Sequence, residues 1–246
     1  VQYGRYLKGL LQGDLGISYK HANSNVNDLV SHNFPVTMRL GLVTAALSLV
    51  VGLVLGVASA VRKNKLVDWL SRGLATLGVS VPLFVIAVML LYAFAVRFRV
   101  LPAVGLSSPR HYILPAIALS LNSTAYITRM MRSSMLDVLN QDYIRTARAK
   151  GVREIMVVAK HALRNAILPI IAYLGTLLAS LLSGSFVVER IFTIPGIGPV
   201  YINSISDRDY TVVMGLTIFF GFILTFCNII MDIVMAFVDP RVKIYE

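Results

Sequence analysis

Long apolar stretches alternate with short polar ones along most of the chain. A hydrocarbon core of about 30 Å is crossed by about 20 mostly apolar helical residues, and five stretches meet that length. They are residues 35–61, 73–96, 112–128, 166–188 and 211–238. The third is the shortest and the most polar, since it contains Ser120, Asn122, Ser123 and Thr124, and this composition favours burial against other helices. The pattern predicts an all-α bundle of membrane-spanning helices.

The segments outside these five spans divide the chain further. An external lead segment, a long cytoplasmic connection, an external loop and a cytoplasmic tail cover residues 1–34, 129–165, 189–210 and 239–246, and three spans with their connections fill 35–128. We therefore predict a single transmembrane domain over residues 1–246. Five spans would leave the N-terminus outside, so we expect a sixth span before residue 1, which would place both ends in the cytoplasm.

Composition agrees with a membrane protein. Hydrophobic residues make up 57% of the chain and charged residues 14%, against about 45–50% and about 25% in soluble domains. The mean hydropathy of +0.73 excludes a disordered chain, which needs low hydrophobicity and high charge. It also argues against a water-soluble globule, because so much apolar surface could not be covered.

The chain is strongly basic as well, with 23 Lys and Arg residues against 12 Asp and Glu residues and a net charge of +11. A nucleic-acid-binding domain would be basic but not this apolar, so nucleic acid is excluded as a partner. In the predicted topology, 14 of the 23 cations lie on one side, eight of them in residues 129–165. Cytoplasmic loops carry an excess of Lys and Arg, so we place that side in the cytoplasm.

The cytoplasmic connection is longer than an ordinary helix–helix loop and has helical periodicity. Ser134 with Asp137 three residues later resembles a capping box, which predicts a helix start. Lys150 and Gly151 predict a helix stop, since glycine adopts the left-handed conformation readily, and a second helical pattern covers residues 155–163. These two amphipathic helices could orient the chain by their charge, lie at the lipid headgroups, or dock a protein.

Few residues of the chain are candidates for chemistry. Asp232 is the one acid well inside a span and is predicted to form a structural pair with a neighbouring helix rather than to act in transport. A single cysteine excludes an intrachain disulfide, and His21, His32 and His111 lack the spacing of metal ligands, so we predict no metal site. The sequence contains no phosphate-binding G-x-x-x-x-G-K-[ST] motif, and no catalytic residue or enzyme activity is predicted.

One segment resembles a known family. DYIRTARAKGVREIMVVAKHALRNAILP, residues 142–169, is similar to the cytoplasmic signature loop of permease subunits of ABC importers, with Arg145, Thr146 and Ala147 at the Glu-Ala-Ala positions, Gly151, and a downstream Leu-Pro. The missing acid and the longer Gly-to-Leu-Pro spacing resemble the peptide/nickel branch. Further similar pieces are residues 2–19, 132–139, 189–198, 208–215 and 239–243. The chain most resembles the first permease subunit of oligopeptide importers, whose members carry one more N-terminal span.

The resemblance implies a type I ABC-importer permease fold that forms half of the translocation pathway for oligopeptides in the bacterial cytoplasmic membrane. The expected partners are a second homologous permease, two cytoplasmic ATPase subunits, an extracytoplasmic solute-binding protein and membrane lipid. ATP and Mg²⁺ would bind the ATPases, and this chain would bind no cofactor. The implied ATPase-coupling residues are Asp142, Tyr143, Arg145, Thr146, Ala147, Arg148, Lys150 and Gly151. The implied external gate residues are Glu189, Pro195, Gly196 and Gly198.

Other functions remain open from the sequence. The same class of importer could carry dipeptides or nickel complexes. An ion-coupled secondary transporter or a channel is the alternative from another class, although such proteins place acids or broken helices at the midplane and only Asp232 is available. The external segment around Pro195 could be a simple turn between spans rather than a gate.

Overall fold

The computed structural model describes residues 2–20, 24–106 and 108–238, and nearly all of its regular structure is helical. One isolated antiparallel bridge joins Ile17 and Asn25. The predicted tail 239–246, which includes the motif at 239–243, and His21 lie outside the described residues.

The helices run in the following order. The first half of the chain forms α1 (Gln2–Leu11), α2 (Val26–Val61), α3 (Leu66–Ser80), α4 (Leu83–Leu90) with a π-helical continuation over Leu91–Arg97, a 3₁₀ turn at Pro109–Tyr112, and α5 (Ile113–Leu139). The second half forms α6 (Asp142–Ala149), α7 (Glu154–Met156), a π-helical turn over Val157–Ala162, α8 (Leu163–Ala166), α9 (Leu168–Leu182), α10 (Phe186–Ile191), α11 (Ile197–Ser206) and α12 (Tyr210–Val238). The predicted lead segment is therefore partly helical, because α2 begins at Val26 and runs through Pro35.

Two compact units make up the fold. Of the described residues, the first comprises those within 2–43, Phe84–Ala118 and Leu178–Cys227, and the second comprises those within Thr44–Leu83, Leu119–Leu177 and 228–238. One core cluster of the first unit contains Val26, Ile197, Val212 and Leu216, and another contains Ala179, Leu182, Ile223 and Cys227.

Glycines bring two helices of the second unit close together. A Cβ atom on Gly52 of α2 would lie 2.6 Å from Ile127 Cγ2 of α5, and one on Gly56 would lie 2.6 Å from Met131 Cβ. Because these positions have no side chain, the backbones of α2 and α5 approach closely, as small residues allow in membrane helices.

Among the described residues, three stretches are long and apolar enough to cross a membrane: Val26–Val61, Leu168–Ile191 and Tyr210–Val238. A fourth is present if the pair Leu66–Ser80 and Leu83–Arg97 is one span, although the two helices bend by 104°. The second predicted span is thus broken. Its bend has a local cause, since Pro82 follows Val81, whose φ of −93° and ψ of 127° are extended as expected before a proline.

Apart from Tyr112, the third predicted span lies in α5, which is 27 residues long but not among the stretches that are apolar enough to span. Its polarity predicts burial against other helices. Ser120, Ser123 and Thr124 are buried, whereas Asn122 is exposed. The expectation therefore holds for the three hydroxyl side chains and is wrong for Asn122.

Two predicted helix boundaries are wrong. No helix starts at Ser134, because α5 has no breaker there and continues to Leu139. The predicted fourth span, residues 166–188, is interrupted before its end, because α9 ends at Leu182 and Gly184 takes a φ of +96°. The predicted external segment itself is largely helical, as α10 and α11.

Candidate functional site

The predicted ATPase-coupling residues form one short helix and its cap. α6 begins after Gln141 in extended conformation, has Asp142 in its first turn and Arg148 in its last turn, and ends at Ala149, with Lys150 as its C-cap. This charge order complements the helix dipole. Gly151 then adopts a φ of +76°, which confirms the predicted left-handed helix stop.

The helix α6 is attached to the second unit through one face. Ile144 is fully buried, Ala147 is half-buried, and Asp142, Tyr143, Arg145, Thr146 and Arg148 are exposed. A polar contact adds to the attachment, because Asn165 Nδ2 donates a hydrogen bond of 2.8 Å to the Tyr143 hydroxyl. The fold therefore brings the predicted coupling residues together on one short helix whose exposed side chains face away from Ile144.

An ion pair closes the turn that follows α6. Arg148 Nε and Nη2 donate to the two carboxylate oxygens of Glu154 at 3.0 and 2.7 Å. The hydrogen bond from Arg148 lowers the pKa of Glu154, and the same bond raises the pKa of Arg148. Glu154 did not enter the sequence prediction, although an acid a few residues beyond the helix stop was a usable signal. The pair spans Gly151 and fixes the direction in which the chain leaves α6.

The outward surface of this module is cationic with apolar neighbours. Arg148 is neutralised by Glu154, and Arg145 lies 3.6 Å from Asp142 with both side chains largely exposed, an arrangement of little energetic weight. Lys150 and Arg153 are exposed as well. Ile155 and Met156 are exposed at 70% and 47% beside them. Such a surface is complementary to an acidic groove with an apolar floor.

A second cluster surrounds the buried carboxylate of Glu189 on α10. Thr37 Oγ1 of α2 donates to Glu189 Oε1 at 3.0 Å, and the Gly198 backbone N–H donates to Oε2 at 2.9 Å. Thr37 Oγ1 in turn accepts a hydrogen bond of 2.9 Å from the Ile197 backbone N–H. The Glu189 and Thr37 side chains thus tie the start of α11 to α2 and α10.

Glycine is required at two positions of this Glu189 cluster. A Cβ atom on Gly198 would lie 2.8 Å from Glu189 Oε2, and one on Gly196 would lie 2.5 Å from Thr37 Oγ1. Pro195 lies outside the hydrogen bonds and lines a neighbouring cavity of about 300 Å³. The structure therefore brings the four predicted gate residues together. Thr37 was missed, because a threonine in an apolar stretch gives no signal of a long-range partner.

Asp209 joins the lead segment to the start of α12. It accepts hydrogen bonds from the Ser18 hydroxyl, from the Tyr19 and Lys20 backbone N–H groups at 3.2 and 3.3 Å, and from the Val212 N–H at 3.3 Å. Burial raises the pKa of Asp209, but these hydrogen bonds outweigh burial and leave the pKa below its ordinary value. The carboxylate is therefore held in its charged form.

Asp232 and the described histidines do not assemble into a further site. Asp232 is exposed on α12, and the ion pairs found between described residues do not include it, so its role stays a prediction. Within residues 2–20, 24–106 and 108–238, no group of three or more His, Cys, Asp or Glu side chains could hold a metal ion.

These features define a class of protein: a multi-pass helical membrane protein that presents an ordered cationic helix outside its spans. Comparison with known proteins identifies the family. The profile of the binding-protein-dependent transport system inner membrane components matches residues 52–244, and the chain belongs to this family.

Relatives and solved structures agree with the family. The chain is 45% identical over 245 residues to the dipeptide transport system permease protein DppB of Bacillus subtilis (strain 168), covering 100% of this chain and 80% of that protein. It is 40% identical over 245 residues to the oligopeptide transport system permease protein OppB of Escherichia coli (strain K12), covering 99% and 80%.

The fold is shared with solved ABC transporters. An inward-facing structure of the MetNI methionine ABC transporter aligns with a TM-score of 0.72 at 18% identity, over 86% of this chain and 96% of that one. An amino acid ABC transporter crystallised with histidines aligns with a TM-score of 0.66 at 17% identity, over 85% and 94%. The predicted family and all-α permease fold are confirmed. The chain is the permease subunit of an ABC importer, not an ion-coupled transporter or channel.

Proposed function

We propose that this chain forms half of the translocation pathway of a peptide importer in the bacterial cytoplasmic membrane. The other half would be a second homologous permease, and two cytoplasmic ATPases and an extracytoplasmic solute-binding protein would complete the complex. ATP and Mg²⁺ would bind the ATPases, with no cofactor on this chain. The names of the relatives, which are dipeptide and oligopeptide permeases, support peptides as the substrate class.

The observation that carries the coupling role is the exposed cationic face of α6 on a fixed base. Ile144 anchors the helix, and the Arg148–Glu154 pair fixes the turn after it. A helix held in this way passes a displacement on to the rest of the second unit instead of rotating relative to it. In the proposed complex, α6 docks into an acidic groove of an ATPase, and ATP-driven closure of the two ATPases displaces it.

Transport then follows as a change between two arrangements of the spans. Nucleotide binding favours one arrangement because the ATPase contacts α6 differently in its two states. The Glu189 cluster is the proposed external gate, where the α10–α11 segment is held to α2 by Thr37 and Gly198. Opening the gate would exchange these hydrogen bonds for contacts with water or substrate.

Peptide length divides the proposal into two candidates. Oligopeptides are preferred from the sequence resemblance, whereas the 45% identity to the Bacillus subtilis protein favours dipeptides. Competition for uptake between dialanine and pentaalanine would separate them. Nickel complexes are a further possible substrate. Uptake of radioactive nickel by vesicles that contain the importer, without uptake of either peptide, would support nickel complexes.

Docking is tested by charge reversal on α6. Arg145→Glu changes a side chain that is 73% exposed and should leave the fold intact, whereas its charge would repel an acidic groove. Lys63→Glu, an exposed cation on the same predicted side, is the matched control. We expect the ATPases to co-purify with the control and not with Arg145→Glu. Equal co-purification of both variants with the ATPases would refute the docking role.

A further inference from the structure

A buried carboxylate lies where α2, α3 and α5 of the second unit meet. Asp68, in the first turn of α3, has a side chain with no exposed surface. Arg132 of α5 donates to both of its oxygens, from Nε at 2.7 Å and from Nη2 at 2.8 Å. Ser59 Oγ of α2 donates at 2.6 Å, and the Asn64 backbone N–H donates at 2.9 Å. We call Asp68, Arg132, Ser59 and Asn64 the Asp68 clasp.

The Asp68 clasp fixes geometry more than it adds stability. Burying an ion pair costs desolvation that roughly offsets the attraction, so such a pair is weak evidence of stabilisation. A fully hydrogen-bonded buried network, in contrast, makes one arrangement rigid. The planar guanidinium of Arg132 meets the carboxylate with two bonds, which sets orientation as well as distance. The clasp therefore locks α5 to α2 and α3 in one register.

The position of the Asp68 clasp links it to α6. Arg132 lies on α5 only ten residues before Asp142, the first residue of α6. Close packing continues along the same helices, because Gly52 and Gly56 of α2 leave no room for a Cβ atom against α5. The clasp thus holds the end of α5 that leads directly into α6.

We propose that Asp68 and Arg132 are positioning residues for coupling, because they make α2, α3 and α5 move as one block when α6 is displaced. This inference rests on the proposed role of α6 as the ATPase contact. Without the clasp, the last two turns of α5 would bend and absorb the displacement. ATP would still be hydrolysed, while less of that motion would reach the spans.

The test compares clasp variants with two matched controls. Arg132→Lys keeps the charge but loses the two-pronged geometry. The double variant Asp68→Asn/Arg132→Gln removes both charges, keeps one acceptor oxygen for the Asn64 N–H, and lets the new amide donate to the Ser59 hydroxyl, so no buried charge is left unpaired. Arg72→Gln is one control, since Arg72 Nε is 3.5 Å from the same carboxylate and its side chain is 41% exposed. Arg129→Gln is the other, an exposed cation of α5 one turn before Arg132.

The readout is the amount of trialanine imported per ATP hydrolysed by the complete importer in proteoliposomes. We expect both clasp variants to lower this ratio by about two- to thirty-fold, with ATP hydrolysis and ATPase co-purification retained and both controls unchanged. Hydrogen exchange should become faster at residues 129–139 and stay unchanged in α9.

The outcomes separate this inference from the proposed function. A wild-type importer that couples trialanine uptake to ATP, together with a double variant of unchanged ratio, would overturn the clasp inference alone. An equal fall in Arg72→Gln would also overturn it, because loss of charge near Asp68 would then be sufficient. A wild-type complex that imports no peptide with ATP would overturn both.

Discussion

The hydrogen-bond relay at Glu189 allows a substitution of almost unchanged shape. Thr37 is 1% exposed, and its hydroxyl both accepts from the Ile197 N–H and donates to Glu189 Oε1. Thr37→Val keeps the branched shape and removes both hydrogen bonds. The Ile197 N–H and one oxygen of Glu189 then lose their partners in a buried place. We expect Thr37→Val to destabilise the first unit.

The magnitude follows from the buried groups left unpaired. A buried donor or acceptor without a partner costs about 1–3 kcal/mol, and the Ile197 N–H and Glu189 Oε1 are both affected. Because Glu189 Oε2 keeps its bond from the Gly198 N–H, we take the lower part of the range and expect about 2 kcal/mol in total. For a chain of this size, 1 kcal/mol corresponds to about 2–4 °C in melting temperature. The expected decrease is therefore about 4–8 °C.

The assay is thermal unfolding of the purified permease in nanodiscs, compared at one heating rate. Thr37→Ser is the matched control, because it retains the hydroxyl and loses only a methyl group. We expect the serine variant to melt closer to the wild type than to the valine variant. If Thr37→Val melts within 1 °C of the wild type, or if both variants fall equally, the hydroxyl relay does not hold α11 and the reasoning fails.

Three further predictions concern single positions. Gly151→Ala should destabilise the turn after α6 by about 1–2 kcal/mol, because the φ of Gly151 is +76°, and should reduce co-purification of the ATPases. Gly151→Asn should retain more of that co-purification. Equal co-purification of the two variants would contradict this prediction. Gly56→Ala should destabilise the protein by about 1–3 kcal/mol through overpacking against Met131 and so lower its melting temperature. Gly73→Ala, with open space around it, should leave the melting temperature unchanged. Equal shifts of the two variants would refute the close packing. The pKa of Asp209 lies below its ordinary value of 3.8, so the stabilisation by its charged form is present above that pH and is lost as the pH falls through the folded-state pKa. The difference in melting temperature between the wild type and Asp209→Asn should therefore narrow from pH 6 to pH 3. A constant difference would contradict this prediction.

Local signals in the sequence correctly predicted those helices and helix ends that depend only on neighbouring residues. Hydropathy over about 20 residues located α2 and α12, and the pairing of a lysine with Gly151 located the end of α6. The resemblance of residues 142–169 led to the correct family. These features depend on composition or on the conformational freedom of one residue, so a short window of sequence is sufficient to recognise them.

The misplaced features depend on competition between local signals. Pro82 stands in an uncharged apolar stretch, and hydropathy alone hides the 104° bend that it introduces. The capping pattern at Ser134 is real as a pattern, but a helix already in progress satisfies those backbone groups and continues to Leu139. Propagation of an existing helix costs less than starting a new one, so α5 continues through the capping signal.

The hydrogen-bond partners of the buried acids could not be predicted from the sequence. These acids explain how an apolar chain acquires a single arrangement of its helices. Asp68, Glu189 and Asp209 are the acids buried within the described residues, and each accepts hydrogen bonds from a hydroxyl and from backbone N–H groups. Their hydroxyl partners are 9, 152 and 191 positions away. Lipid is as apolar as leucine, so hydrophobicity drives insertion but does not select which helices meet. A buried carboxylate does select, because only one set of donors satisfies it. A polar substitution at any of these three acids should therefore alter how the helices pack against one another more than it alters membrane insertion.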